Sequence, residues 1–308
     1  MNNLYLNKKI NSFKAMGFVN FSSNIFDNKD SDYLKKMSQN IYNNLKSNHV
    51  DFINDDGAPG VLNLPFHNKE YLEIINKAVC NSALIKFLHE IIGNDFKIWD
   101  ISYRISMPGD KGLYLHQDGP GQLNMAILLN DSFSKKGNTA FLSSSHLLFK
   151  SLKSIKLEIP PFLLNALSFM FSPMTGKKGT IYFFSNKTWH GRFSNKSKDN
   201  NEILFLGFFP KGYRYGKPWN NKVLRASKGL FISNLLATQK DFIKSLPSGC
   251  ELRENGEIFK DAAHGFTINI EDKEYLAKNS RISLFLITKI FLINFLMRSI
   301  MFLRKVFR

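Results

Sequence analysis

Residues 112–131 read GLYLHQDGPGQLNMAILLND. Two side chains with metal-binding chemistry, His116 and Asp118, stand one position apart inside an apolar run. Successive side chains of a strand point to opposite faces, so His116 and Asp118 share one face. One imidazole and one carboxylate then address a single point. If that face looks into a β-barrel, one ligand from another strand completes a two-histidine, one-carboxylate facial triad. Such a triad holds Fe(II) and leaves further coordination positions open. A core histidine bonded to an aspartate for structure alone is the competing reading, and H-x-D by itself does not choose between them.

The surroundings favour a β core. From Lys97 onward come FKIWDISYRISM, GLYLHQD, QLNMAILLND, NTAFLSS, GTIYFFS and NEILFLGFFP, short runs rich in Ile, Phe, Tyr and Leu. Gly, Pro, Asn and Asp separate them, the pattern of a β-sandwich or barrel. Helices precede this core. KDSDYLKKMSQNIYNNLKS places Tyr33, Leu34, Met37, Ile41 and Leu45 at helical spacing, with Ser31 or Asp30 as the expected cap. KEYLEIINKAVCNSALIKFLHEIIGND predicts two helices, or one broken at Asn81–Ser82, ending at Gly93. Residues 1–26 read as a short lead-in and a strand, GFVNFSS. An apolar excursion over 147–179 is long enough to cover an opening in the core.

The candidate third ligand is His190, in GTIYFFSNKTWHGRFSN, because it follows a strongly apolar strand. His49 and His67 read as loop residues, His89 as helical, and His146 as part of a Ser-rich turn.

The chain has 308 residues, enough for one large domain or two small ones. Its formal net charge is +17. That excess attracts anions in general, but Lys- and Asn-rich composition is also what a biased genome produces. No basic stripe interleaved with stacking aromatics marks a nucleic-acid surface, so no nucleic-acid partner is expected. Cys80 and Cys250 form no C-x-x-C and no framework, and the N-terminus carries no long apolar run. Both features point to a reducing, cytoplasmic setting.

The ordered set of motifs resembles the phytanoyl-CoA dioxygenase family, a branch of the Fe(II)/2-oxoglutarate oxygenases. The resemblance spans residues 13–210. It rests on MGFVNFSS, on LYLHQDGPGQLNMAILLND, on GNTAFLSSSH with Gly137, Ser145 and His146, and on GTIYFF…WHGRFSNKS. It implies an α+β fold with a mainly β core, a double-stranded β-helix of jelly-roll or cupin type flanked by N-terminal helices. It implies His116, Asp118 and His190 as iron ligands, Fe(II) and 2-oxoglutarate as cofactor and cosubstrate, and hydroxylation of a small-molecule or lipid-linked substrate. An Asp at 118 leaves no vacancy for a halide, which favours hydroxylation over halogenation. One position departs from the family. An Arg that pairs with the far carboxylate of 2-oxoglutarate is usual about eleven residues after the distal His, and here that place holds Asn201. Arg192 and Arg104 are the candidate substitutes, with Lys198 a third. A non-catalytic or 2-oxoglutarate-independent member of the fold is the alternative implied by that departure.

Residues 1–279 thus read as the oxygenase domain and 280–308 as a separate apolar, basic C-terminal helix. The run RISLFLITKIFLINFLMRSIMFLRKVFR is apolar around its circumference, interrupted by Lys289, Asn294 and Arg298. Three readings stand: an anchor on the inner membrane surface, a helix packed against the domain or a twin subunit, and a true span. The anchor reading predicts that deleting 280–308 shifts the protein from membrane pellet to supernatant on sedimentation. Equal partitioning of both proteins would exclude the anchor and the span.

Overall fold

The computed structural model describes residues 3–210 except 23–24, 48, 50, 54–57, 63, 69, 72–73, 76–80, 94–95, 118–122 and 149–158, together with Thr288 and Leu292. The helices are α1 (Asn3–Met16), α2 (Asn28–Asn44), α3 (Leu64–His67), α4 (Ser82–Ile92) and α5 (Pro161–Ala166). The strands are β1 (Phe18–Phe21), β2 (Phe52–Ile53), β3 (Gly60–Val61), β4 (Phe96–Ser106), β5 (Leu113–His116), β6 (Leu123–Leu128), β7 (Thr139–Phe141), β8 (Ser172–Pro173), β9 (Ile181–Ser185), β10 (His190–Arg192) and β11 (Asn201–Pro210).

The described strands form a seven-stranded sheet, β1-β9-β6-β11-β4-β3-β2, and a four-stranded sheet, β5-β10-β7-β8. The pairings are antiparallel throughout. Chain-adjacent strands repeatedly change sheets, as in a jelly roll.

Side-chain alternation sorts the core into layers. On the larger sheet Tyr103, Met125, Ile127, Phe183, Leu204, Leu206 and Phe208 face the helices. There they meet Leu6, Ile10 and Phe13 of α1, Leu34 and Met37 of α2, and Leu84, Phe87 and Leu88 of α4. The other face carries Phe18, Ala126, Leu128, Tyr182, Phe184 and Ile203, which pack with Phe141 of the smaller sheet. This second cluster is the interior of the roll, the face on which the site is built.

A buried polar knot fixes α2 to the sheet. The Glu202 carboxylate, 2% exposed, accepts from Tyr103 Oη at 2.7 Å and Gln39 Nε2 at 2.9 Å, and pairs with Lys35 Nζ at 3.1 Å. Burial, reinforced by the neighbouring Glu202 charge, drives the Tyr103 phenol far above its ordinary value, so it stays a donor.

Four expectations are corrected. The lead-in is a helix, α1. Its Leu6, Ile10 and Phe13 have helical spacing among Asn and Lys, and packing on the sheet supplies what propensity lacks. The α2 cap is Asp27, whose carboxylate accepts from the Asp30 N–H at 2.8 Å, rather than Ser31 or Asp30. His67 closes the short helix α3 rather than standing in a loop. The apolar excursion, where described, lies mainly behind the smaller sheet, with Met174 entering the interior cluster. Ile159, Leu163, Leu164, Leu167 and Met170 pack on Leu115, Ala140 and Phe193, the outer face of the smaller sheet. The expected break at Asn81–Ser82 and stop at Gly93 hold: Asn81 caps α4 through Ala83 N and Gly93 ends it at φ +87°.

Apart from Thr288 and Leu292, the terminal run 283–303 lies outside the described residues, as does 211–287. No helix among the described residues is long and apolar enough to cross a membrane.

Phe183 is fully buried and its ring contacts Phe21, Phe87 and Phe208. Phe183→Ala is expected to cost about 3–5 kcal/mol, read as a lower urea midpoint at unchanged slope.

Candidate metal centre

On β5 Leu115 belongs to the outer cluster, so Tyr114 and His116 take the opposite face, with ring centroids 5.2 Å apart. On β10 His190 and Arg192 share one face and Gly191 takes the other. A Cβ on Gly191 would lie 2.9 Å from Leu164 Cδ2 and 3.0 Å from the carbonyl oxygens of Leu113 and Tyr114, so a side chain there would press on Leu164 and on β5. The two strands pair with His190 opposite His116. Their rings stand 4.5 Å apart at 51°, and Phe184 packs edge-on to His190 at 5.2 Å.

The two imidazoles are prepared alike. Nδ1 of His116 lies 2.9 Å from the Tyr114 carbonyl oxygen and Nδ1 of His190 lies 2.8 Å from that of Thr188. A carbonyl only accepts, so each Nδ1 carries the proton and each Nε2 is the basic nitrogen. This is the tautomer and bracing that metal-ligating histidines use. Asp118, two residues beyond His116, lies outside the described residues. The structure therefore brings together two of the three expected ligands.

The backbone that presents His190 is clamped from three sides. Thr188 Oγ1 donates to the Gly17 carbonyl at 2.9 Å, Ser185 N donates to the same oxygen, and Trp189 N donates to Ser145 Oγ at 2.8 Å. Gly17, at φ +82°, ends α1. A Cβ there would sit 2.2 Å from Thr188 Oγ1 and 2.5 Å from His146 Nδ1. His146 Nε2 donates to the Lys14 carbonyl at 3.0 Å, and its Nδ1 has no hydrogen-bond partner among the described residues. His146 thus serves the turn that supports His190.

Each cation proposed for the cosubstrate has its own setting. Arg192 grips Asp110 with Nε to Oδ2 at 2.8 Å and Nη2 to Oδ1 at 3.3 Å. That carboxylate is fully buried and also accepts from Ser106 Oγ at 2.6 Å and Gly112 N at 2.9 Å. Arg104 alternates with the helix-facing Tyr103, so it lies on the interior face. Its stem crosses Gly60, where a Cβ would meet Arg104 Cδ at 2.8 Å, and Nη1 lies 3.4 Å from the Ala58 carbonyl. Lys198 is exposed. Asn201 is buried, its Nδ2 donates to the Gly137 carbonyl at 3.3 Å, and its Oδ1 has no hydrogen-bond partner among the described residues.

Sequence reading missed the supports. Asp110 gave no signal because the glycine-rich turn around it hides its partner, which is 82 residues away. Asn124 and Asn186, bonded at 2.6 Å on strand β6 and just after β9, likewise pair across 62 positions.

No family model matches the chain, and no curated relative does. Solved structures match in fold. The epimerase SnoN, crystallised with Fe3+, alpha ketoglutarate and nogalamycin RO, is 11% identical with a TM-score of 0.56 over 72% of this chain and 90% of that one. EctD from S. alaskensis, with 2-oxoglutarate and 5-hydroxyectoine, is 16% identical with a TM-score of 0.53 over 69% and 79%. HygX from Streptomyces hygroscopicus, with nickel, 2-oxoglutarate and hygromycin B, is 11% identical with a TM-score of 0.51 over 67% and 88%. At such identities the likeness is one of fold.

Burial lowers the His146 pKa from 6.5 to about 4; the Lys14 carbonyl opposes the shift and the Lys187 charge adds to it. The unfolded chain therefore binds this proton first as pH falls. Stability from neutral His146 is complete above pH 6.5 and lost progressively down to about pH 4. The loss amounts to about 3 kcal/mol. Urea midpoints measured from pH 7.5 to 4.5 should fall more steeply in the native protein than in His146→Gln.

Proposed function

We propose that the chain is a non-haem Fe(II) dioxygenase of the phytanoyl-CoA dioxygenase type, which uses 2-oxoglutarate to hydroxylate a small organic molecule. The observation that carries this reading is the facing pair His116 and His190, each with Nδ1 held by the carbonyl two residues before it. That donor set suits a divalent transition ion. Asp118 is the proposed third ligand, since it shares the His116 face wherever the chain stays extended. Bound there, Fe(II) with 2-oxoglutarate and O2 supplies the oxidising chemistry.

The protein's part is binding and exclusion. The interior cluster around Phe184 gives His190 an apolar, buried flank, while His116 is half-buried. Arg192 lies two residues past His190 on the same face, about 7 Å along the strand, a separation suited to the far carboxylate of a five-carbon diacid. Asp110 holds its guanidinium in one orientation. Arg104 is the second proposed cation, approaching from β4. SnoN and HygX were crystallised with nogalamycin RO and hygromycin B respectively, which supports a small-molecule substrate class. For a lipid-linked one the apolar excursion offers, among its described residues, only Phe162 and Phe169, which are exposed, because Ile159, Leu163, Leu164, Leu167 and Met170 are engaged with the smaller sheet.

Asn201 favours a second reading. It brings no charge to the place where the family has Arg, and its Nδ2 is already engaged. A 2-oxoglutarate-independent iron oxidase or a binding module on this fold would look the same there.

Anaerobic titration of the Fe(II)-loaded protein with 2-oxoglutarate separates the two. A saturable visible charge-transfer band is expected, with succinate formed once O2 and substrate are present. Iron bound without any band would leave the second reading. Asp118→Asn and His190→Ala should weaken iron binding and abolish turnover, and unchanged turnover in either would sink the proposal. Arg192→Gln should raise the KM for 2-oxoglutarate by at least tenfold, whereas the same rise in Arg104→Gln instead would transfer that role to β4.

A further inference from the structure

At the far edge of the larger sheet, beyond β2, two chain segments bring three metal-binding side chains together. His49 and Asp51 lie between α2 and β2, and His67 is the last residue of α3. The three offer ligand atoms that all lie within 4.8 Å of one another. His67 Nε2 is 3.2 Å from Asp51 Oδ2, and His49 Nδ1 is 3.9 Å from the same oxygen. Two ligands bound at 2.0–2.1 Å to a tetrahedral ion stand roughly 3.3 Å apart. The first separation, that of a hydrogen bond, already matches; the second needs a closure of about half an ångström, and the two imidazoles, within 4.8 Å of each other, need one of up to about 1.5 Å. His49 is the residue free to make that closure, since its side chain is 40% exposed while those of His67 and Asp51 are 18% and 12% exposed.

We infer that His49, Asp51 and His67 form a second site for a divalent transition ion of the zinc type, separate from the His116–His190 pair. Two imidazoles and one carboxylate are borderline-soft donors suited to such ions and poorly suited to magnesium or calcium. The backbone frame is already built. Phe52 N donates to the His49 carbonyl and Leu62 N to the Asp51 carbonyl, while the Phe52 ring stacks on Tyr42 at 5.6 Å. The Asp51 N–H donates to His49 Nδ1 at 3.1 Å, so that nitrogen carries a lone pair, which the ion would take over.

The site has a structural use. β2 and β3 are two-residue strands at the sheet edge, and an ion there would cross-link the segment before β2 to the helix after β3. It lies on the larger sheet, whereas His116 and His190 lie on the smaller one. Sequence carried a signal, unread because H-x-D recurs here at 49–51 in a polar turn rather than in an apolar strand.

The test uses full-length protein stripped with chelator and then given Zn2+ alone. In a His116→Ala/His190→Ala background, one equivalent of Zn2+ should still bind and raise Tm by several degrees. Adding His49→Asn and His67→Asn should remove both the equivalent and the Tm rise, each variant's Tm in chelator serving as its own baseline because His67→Asn also removes a hydrogen bond to Asp51. Loss of all Zn2+ binding in the His116→Ala/His190→Ala background would overturn the inference, as would retention of the equivalent in the fourfold variant. If the fourfold variant fails to fold, Asp51→Asn in the same background gives the same reading, with loss of the equivalent expected and its retention contrary. None of these readouts depends on 2-oxoglutarate turnover, so the inference and the proposed function fail separately.

Discussion

The hydrogen bond from Thr188 Oγ1 to the Gly17 carbonyl is the contact on which the site depends. It joins the end of α1 to the loop before β10, 171 residues away in sequence. The Thr188 carbonyl, held in the same place, orients His190 through Nδ1. A left-handed glycine is needed because a side chain at 17 would fall on Thr188 and His146. One buried junction thus sets a helix stop, a strand start and an imidazole tautomer together.

Buried charge is handled by saturation. Asp110 is fully buried, and it is met by Arg192, a hydroxyl and a backbone N–H. Glu202 is met by a phenol, an amide and an ammonium. Removing one partner of such a group strands the other, at a cost of about 3–5 kcal/mol. The two knots lie on opposite sides of the larger sheet. One ties the interior to the turn before β5, and the other ties α2 to the face outside it.

The outer face of the smaller sheet shows why the apolar excursion exists. β5, β7 and β10 are short, and one side of them would meet solvent. Leu163, Leu164 and Met170 cover Leu115, Ala140 and Phe193. The cover also packs closely over Gly191, where an added Cβ would press on Leu164 Cδ2 at 2.9 Å. Packing behind the sheet and placement of the His190 imidazole in front of it thereby meet on the same short strand.

Much of this was legible in the chain alone. Apolar runs bounded by Gly, Pro and Asn marked seven of the described strands, β1 included, because strand period and turn chemistry are local properties. Helical spacing with Asn81 and Gly93 bounded α4, while the expected sharing of one face by His116 and Asp118 falls on a residue outside the described ones. What local pattern lacks is partnership across distance. It left α1 unread, because its helix is stabilised by sheet contacts rather than by its own residues. It left Arg192 a candidate without its Asp110, and His49 and His67 as separate polar residues. Register decides those matters: only when β5 and β10 pair does His190 meet His116. Only when β2 and β3 fold back do His49, Asp51 and His67 share one corner. Sequence determined which side chains share a face of their own element, and tertiary structure decided which faces meet, because cross-strand contacts depend on chain closure over distances that no local periodicity encodes.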